Sequence, residues 1–80
     1  MPKEPISDAA REFGERVRAR RLQLNLSQEQ LARDASLHWS YVGQVERGQR
    51  NITLHNILRI AEMLEIDPGK LLRGLQAPEE

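Results

Sequence analysis

Apolar residues recur along this chain at helical intervals, and nowhere do they alternate as a strand would require. Ala10, Phe13, Val17 and Leu24 are spaced for one face of a helix, with Arg and Glu between them. Ser7 or Asp8 can cap this first helix. Acidic residues in its early turns and arginines in its later ones match the helix dipole. Asn25, which tolerates a left-handed conformation, is the expected stop. Ser27-Gln28-Glu29-Gln30 has the form of a capping box, with Ser27 at the N-cap and Gln30 three residues on. The second helix then runs to about Ala35 and buries Leu31, Ala32 and Ala35. Ser36-Leu37 makes a short turn. A third helix is predicted from about His38 to Arg47, with Val42 and Val45 inward and Gly48 ending it. After a loop at 49–52, Thr53 caps a fourth helix whose apolar side holds Leu54, Ile57, Leu58, Ala61 and Leu64. Asp67-Pro68 restarts the chain, because Pro at the first helical position lacks only an N–H that would be unpaired anyway. Lys70 to about Leu75 form a short fifth helix. The fold class is all-α, five short helices. Residues 1–6 form a flexible arm, 7–75 the domain and 76–80 a flexible tail.

Composition narrows the possibilities. Eighty residues make one small domain of marginal stability, for which pairing with a second copy is a natural remedy. Only Phe13, Trp39 and Tyr41 are aromatic, so the core is aliphatic. The absence of cysteine excludes disulfides, thiolate metal sites and a cysteine nucleophile. No apolar run approaches the ~18 residues of a membrane span, and the first residues lack the apolar stretch of a signal peptide. A cytoplasmic protein is expected, with no membrane, cofactor, metal or small-molecule ligand. Scattered glycines, and two histidines seventeen positions apart, make no nucleophile elbow, metal pair or phosphate loop, so no enzyme is expected.

Net charge is zero, but its distribution is uneven. Residues 1–15 carry −2, residues 16–50 carry +4 and residues 51–80 carry −2. The seven cations of the middle segment are all Arg, whose fork suits phosphate and guanine. An ordinary solvated helix face is the competing account of that charge. The same segment holds two short helices joined by a tight turn. Ala32 is small where the second must cross, and Leu37 plugs the turn. This is a helix-turn-helix arrangement, whose second helix lies in the DNA major groove.

Three strings carry a family resemblance: Leu26-Ser27-Gln28-Glu29-Gln30-Leu31-Ala32, Val42-Gly43-Gln44-Val45-Glu46-Arg47-Gly48 and Ile60-Ala61-Glu62-Met63-Leu64. Residues 13–73 resemble the phage Cro/repressor (Xre-type) helix-turn-helix family, and the stretch from Ser40 to Leu54 looks most like the small controller proteins of restriction–modification systems. The resemblance implies a five-helix, lambda-repressor-like DNA-binding domain with its helix-turn-helix at helices 2 and 3. It further implies a bacterial or phage regulator of transcription that binds double-stranded DNA as a homodimer on a pseudo-palindromic operator and controls its own synthesis. Residue by residue, Gln28 matches a phosphate-reaching amide. His38, Trp39, Ser40 and Gln44 match base-facing positions. Arg50 and Asn51 match a loop lying on the DNA backbone. Arg21 and Glu46 match a mostly buried ion pair. Ser36 stands where many relatives have Gly, so a less strained or slightly shifted turn is expected. Trp39 stands where controller proteins often carry Arg, so the operator sequence does not carry over.

Chemistry adds to these assignments. Gln reads adenine bidentately and Ser bonds either donors or acceptors, while phosphate contacts position and base contacts specify. Gly43 is expected on the outward face, where DNA backbone comes close. Arg47 joins the phosphate-contacting set. Trp39 either contacts DNA or acts as a lid. Tyr41 either reaches a phosphate or covers the junction of helices 2 and 3. His38 is a cap or a phosphate neighbour as well as a candidate base reader. The arginines of the first helix are expected to be mainly a solvated face, with one of Arg18 and Arg20 near DNA. Ile52, His55, Ile66, Leu71 and Leu72 are the expected dimer interface, and with no sensor domain control would come from concentration. The competing reading is an antitoxin-type module that neutralises a partner protein, with DNA binding secondary. RNA binding is weaker, because no interleaved aromatics offer stacking platforms.

Overall fold

The computed structural model describes residues 4–79. Its helices are α1 (Asp8–Gln23), α2 (Gln28–Asp34), α3 (Trp39–Glu46), α4 (Leu54–Met63) and α5 (Pro68–Leu72), and no strand occurs among the described residues. No helix among them is long and apolar enough to cross a membrane.

Each helix begins on a side-chain cap. Ser7, Ser27, His38, Thr53 and Asp67 accept backbone N–H groups from the first turns, and the Ser27–Gln30 capping box is complete. The ends of α1 to α4 share one device. A left-handed residue follows the helix (Asn25, Ser36, Gly48 and Glu65). The next residue's N–H then returns to a carbonyl of the last turn: Leu26 to Arg21, Leu37 to Ala32, Gln49 to Gln44 and Ile66 to Ala61. These are Schellman closures, which satisfy carbonyls a helix end leaves open. Ser36 therefore keeps the turn a glycine would make. At φ +60° the expected relief of strain does not occur, and the serine carries a left-handed penalty of roughly 1–2 kcal/mol.

The core is one cluster, aliphatic except for Phe13, that includes Val17, Leu31, Val42, Val45, Ile60, Leu64 and Leu71. α3 packs on both α1 and α2. Several expectations change. In α4, Ile60 is fully buried, whereas Leu54 and Leu58, expected inward, are 64% and 45% exposed. The apolar pattern does not single out the buried face, because α4 is apolar over more of its circumference than the core can cover. The fifth helix begins at Pro68 and ends at Leu72, since Arg73 leaves helical geometry and Gly74 has φ +77°. The arginine row of α1 is only in part a solvated face: Arg18 is exposed, but Arg16 and Arg20 are half-buried. Arg16 donates to the carbonyls of Leu71 and Arg73 at 3.1 and 2.8 Å, and Arg20 to those of Leu64 and Glu65 at 2.8 and 3.2 Å. Both cap helix C-termini, where open carbonyls and the dipole favour a cation. Arg20 is thus turned towards the protein. Of the expected flexible arm, residues 1–3 lie outside the described residues. Ile6 is tied down, donating its N–H to the Gly48 carbonyl at 2.8 Å.

Candidate nucleic-acid interface

The far end of α3 is fixed from beneath. Arg21 of α1 meets Glu46 in a two-pronged ion pair, Nε to Oε2 at 2.6 Å and Nη2 to Oε1 at 3.0 Å, and both residues are buried. The third arm of the guanidinium donates to the Leu26 carbonyl at 2.8 Å. Glu46's hydrogen bonds hold Arg21 above its ordinary range, against burial that pulls the other way. Fork-to-carboxylate geometry makes such a pair directional as well as strong. Beside it, Gly14 brings α1 so close to α3 that an added Cβ would overlap the carbonyl oxygens of Val45 and Glu46.

Gln28, at the start of α2, donates Nε2–H to Glu46 Oε1 at 3.0 Å. One amide hydrogen is thereby engaged, and the other is what remains for a phosphate. Gly43 proves to be buried rather than outward-facing. A Cβ there would stand 3.1 Å from Arg47 Nη1 and 3.4 Å from Gln28 Oε1. The bare glycine is covered by its own protein's side chains, and it lets the Arg47 guanidinium fold back beside Gln28.

The near end of α3 stands clear of the body. His38, Trp39 and Ser40 are exposed, and Gln44 is half-buried further along. His38 Nδ1 accepts the Ser40 N–H at 3.2 Å as the N-cap. Its ring stacks on Trp39 with centroids 6.2 Å apart. Trp39 is 56% exposed, and lines a shallow crevice with Leu37, Ala32, Glu29 and Arg33. It is not a lid over the core. Tyr41 is half-buried against the core. Its hydroxyl accepts from Asn56 of α4 at 3.3 Å, and its ring carries the Arg50 guanidinium 4.9 Å from the centroid. A cation held on an aromatic face is restrained in position. Arg47, Arg50 and Asn51 are exposed, and among the described residues no carboxylate pairs with either arginine. With Arg16, Arg20 and Arg21 engaged internally and Arg33 beside Asp34, the basic footprint contracts towards the loop after α3, apart from the exposed Arg18 on α1.

A helix-turn-helix family model matches residues 17–71. This chain belongs to the helix-turn-helix family. Control protein C.BamHI of Bacillus amyloliquefaciens is 46% identical to this helix-turn-helix protein over 61 residues, 75% of each chain. The solved restriction-modification controller protein C.AhdI from Aeromonas hydrophila is 52% identical, with a TM-score of 0.76 over 78% of this chain and 94% of that one. The P22 c2 repressor, solved with a synthetic operator, is 32% identical with a TM-score of 0.73 over the same shares. An antitoxin-type module is not favoured by such relatives. Within the helix-turn-helix unit, α2 is the first helix and α3 the second.

The expected dimer set is only partly at the surface. Leu71 is 1% exposed within its own chain, so its side chain belongs to the core and not to an interface. Ile52 and Ile66 are half-buried, and His55 and Leu72 are exposed. Leu54 and Leu58 are an exposed apolar pair that the hydrophobic pattern places inward. Asn56, partner of Tyr41, carries no signal in the sequence. Gly14 does carry one, since a glycine inside a helix costs about 1 kcal/mol relative to Ala and needs a reason.

Proposed function

We propose that this protein is a sequence-specific DNA-binding regulator of transcription, acting in the bacterial cytoplasm as a homodimer on a pseudo-palindromic operator, and serving as an autoregulating controller of a restriction–modification system. One observation carries the reading. α3 is locked at its far end, yet projects His38, Trp39, Ser40 and Gln44 from its near end and first turns, with Arg47 and Arg50 unpaired by carboxylates beside it. A major groove accepts such a helix. Gln28, Tyr41, Arg47, Arg50 and Asn51 are then the phosphate-contacting set, supplying affinity. His38, Trp39, Ser40 and Gln44 supply discrimination. Leu54 and Leu58, one helical turn apart and exposed, join Ile52, His55, Ile66 and Leu72 as the surface for a second copy.

Selection of bound duplexes from a random pool at about 0.15 M salt tests this. Recovery of a two-fold repeated motif is expected, with half-sites about 34–36 Å apart centre to centre. Recovery of no motif, with binding that merely vanishes as salt rises, would leave only phosphate attraction and overturn the proposal.

A further inference from the structure

Two groups of Ser40, its backbone nitrogen and its hydroxyl, contact one and the same atom. His38 Nδ1 lies 3.2 Å from the Ser40 backbone nitrogen and 2.7 Å from its Oγ. The backbone N–H can only donate, so Nδ1 is the acceptor and carries no proton. The ring proton of a neutral imidazole then sits on Nε2. With Nδ1 unprotonated, the short contact to Oγ has one polarity as well: the Ser40 hydroxyl donates to His38. A serine hydroxyl has one hydrogen and two lone pairs. Once its hydrogen is directed at His38, only lone pairs remain for anything approaching from outside. Trp39 stacks on the imidazole and narrows the ring's freedom to turn away. Glu29 and Arg33 of α2 line the crevice that His38 and Trp39 share.

We propose that His38 is a positioning residue for DNA specificity: by taking the Ser40 hydroxyl proton into a hydrogen bond, it makes Ser40 an acceptor-only reader that selects an amino-bearing base, adenine or cytosine. This rests on the reading of Ser40 as base-facing. A free serine pairs with donors or acceptors alike and discriminates poorly. In the major groove, adenine N6 and cytosine N4 are the donors, whereas guanine O6 and N7 and thymine O4 are acceptors. An acceptor-only hydroxyl therefore faces repulsion from guanine and thymine and attraction from the other two. His38 itself then presents Nε2–H, a donor suited to a phosphate or a base acceptor beside that position.

The test is duplex selection with the full chain as wild type, Ser40→Ala, His38→Ala and His38→Asn. Asn keeps both properties at issue, since its side-chain oxygen caps a helix well and accepts a hydroxyl proton. The base pair read by Ser40 is the one whose preference disappears in Ser40→Ala. Each base pair offers one amino group in the major groove, so that pair is then compared with its adenine N6 or cytosine N4 amino group present and deleted (purine for adenine, 2-pyrimidinone for cytosine). We expect deletion to cost the wild type about fivefold more affinity than it costs Ser40→Ala, the size of one net hydrogen bond. His38→Ala should erase that preference while other positions of the motif persist, and His38→Asn should restore it. Equal losses on amino deletion in wild type and Ser40→Ala, a Ser40→Ala variant with an unchanged motif, or a preference indifferent to His38→Ala would each overturn the inference while leaving the regulator reading intact. A uniform loss of affinity in His38→Ala with the motif unchanged would reduce His38 to a helix cap and equally overturn it. No motif from the wild type would overturn both.

Discussion

The C-terminal end of α3 is gripped from three directions: by the Arg21–Glu46 ion pair, by the backbone of α1 at Gly14, and by Gln28 across the start of α2. Its N-terminal end is capped by one imidazole, stacked on an exposed indole, with Tyr41 tied to Asn56 of α4 behind them. The difference separates two demands on a helix that must enter a groove. Its direction has to be set by the body of the protein, and buried charge with fork geometry sets direction well. Its reading end has to be free of the body, so it is held by short-range contacts among exposed side chains. The chain places rigidity and chemistry a few residues apart on one helix.

Breaking the gripped end should have the largest effect. Arg21→Ala leaves Glu46 buried without its cation, and stability is expected to fall by about 3–5 kcal/mol, read as a shift of the urea midpoint. A loss below about 1 kcal/mol, the range of an exposed pair, would mean the pair is not desolvated in solution. Arg21 is held above its ordinary range by Glu46. A raised cation loses its contribution only as pH climbs through that raised value, so the arginine side of the clamp should stay charged throughout neutral conditions.

Gly14→Ala should act in the same direction more weakly. The new methyl meets backbone oxygens of α3 that cannot swing aside, and overpacking of this kind costs roughly 1–3 kcal/mol, offset by about 1 kcal/mol of helix propensity. Thermal unfolding reads the net result. A stabilised variant would show that α1 and α3 are not in close contact at this crossing.

Gly43→Ala should have the smallest effect on stability and the opposite sign. Its Cβ meets the tip of Arg47, a flexible end that can move. Helix propensity then raises stability by up to about 1 kcal/mol, or roughly 4–8 °C in Tm for a domain of this size. DNA affinity should nevertheless fall, because Arg47 no longer folds back beside Gln28. Unchanged affinity in titrations at fixed salt would separate that posture from binding. A single glycine-to-alanine change is thus expected to weaken the gripped end at position 14 and firm the helix at position 43.

Much of this architecture is legible in the amino-acid sequence. The caps at Ser27, Thr53 and Asp67, the stops at Asn25 and Gly48, and the inward set Leu31, Val42 and Val45 all follow from local rules, because a cap or a left-handed stop is decided within a few residues of itself. The Arg21–Glu46 pair could be named from the family resemblance, and the helix-turn-helix from the pattern of small and apolar residues around its turn. What could not be read was whatever depends on which neighbour arrives. An α4 with apolar residues most of the way round does not say whether Leu54 or Ile60 faces the core, and only the placement of α1 and α5 leaves Leu54 and Leu58 uncovered while enclosing Leu71. Arg16 and Arg20 of α1 look solvated in sequence and become caps because the ends of α4 and α5 happen to lie beside them. Gly43 looks like an opening for DNA and is covered by Arg47 and Gln28, two long side chains whose resting places are set in three dimensions. Helix identity and the ends of α1 to α4 belong largely to the sequence, since they are short-range, whereas the bounds of the short α5 had to be read from the structure. Faces, the partners of long cations and the choice of exposed apolar surface were decided by the tertiary structure, since they depend on distances between segments that the chain brings together only on folding.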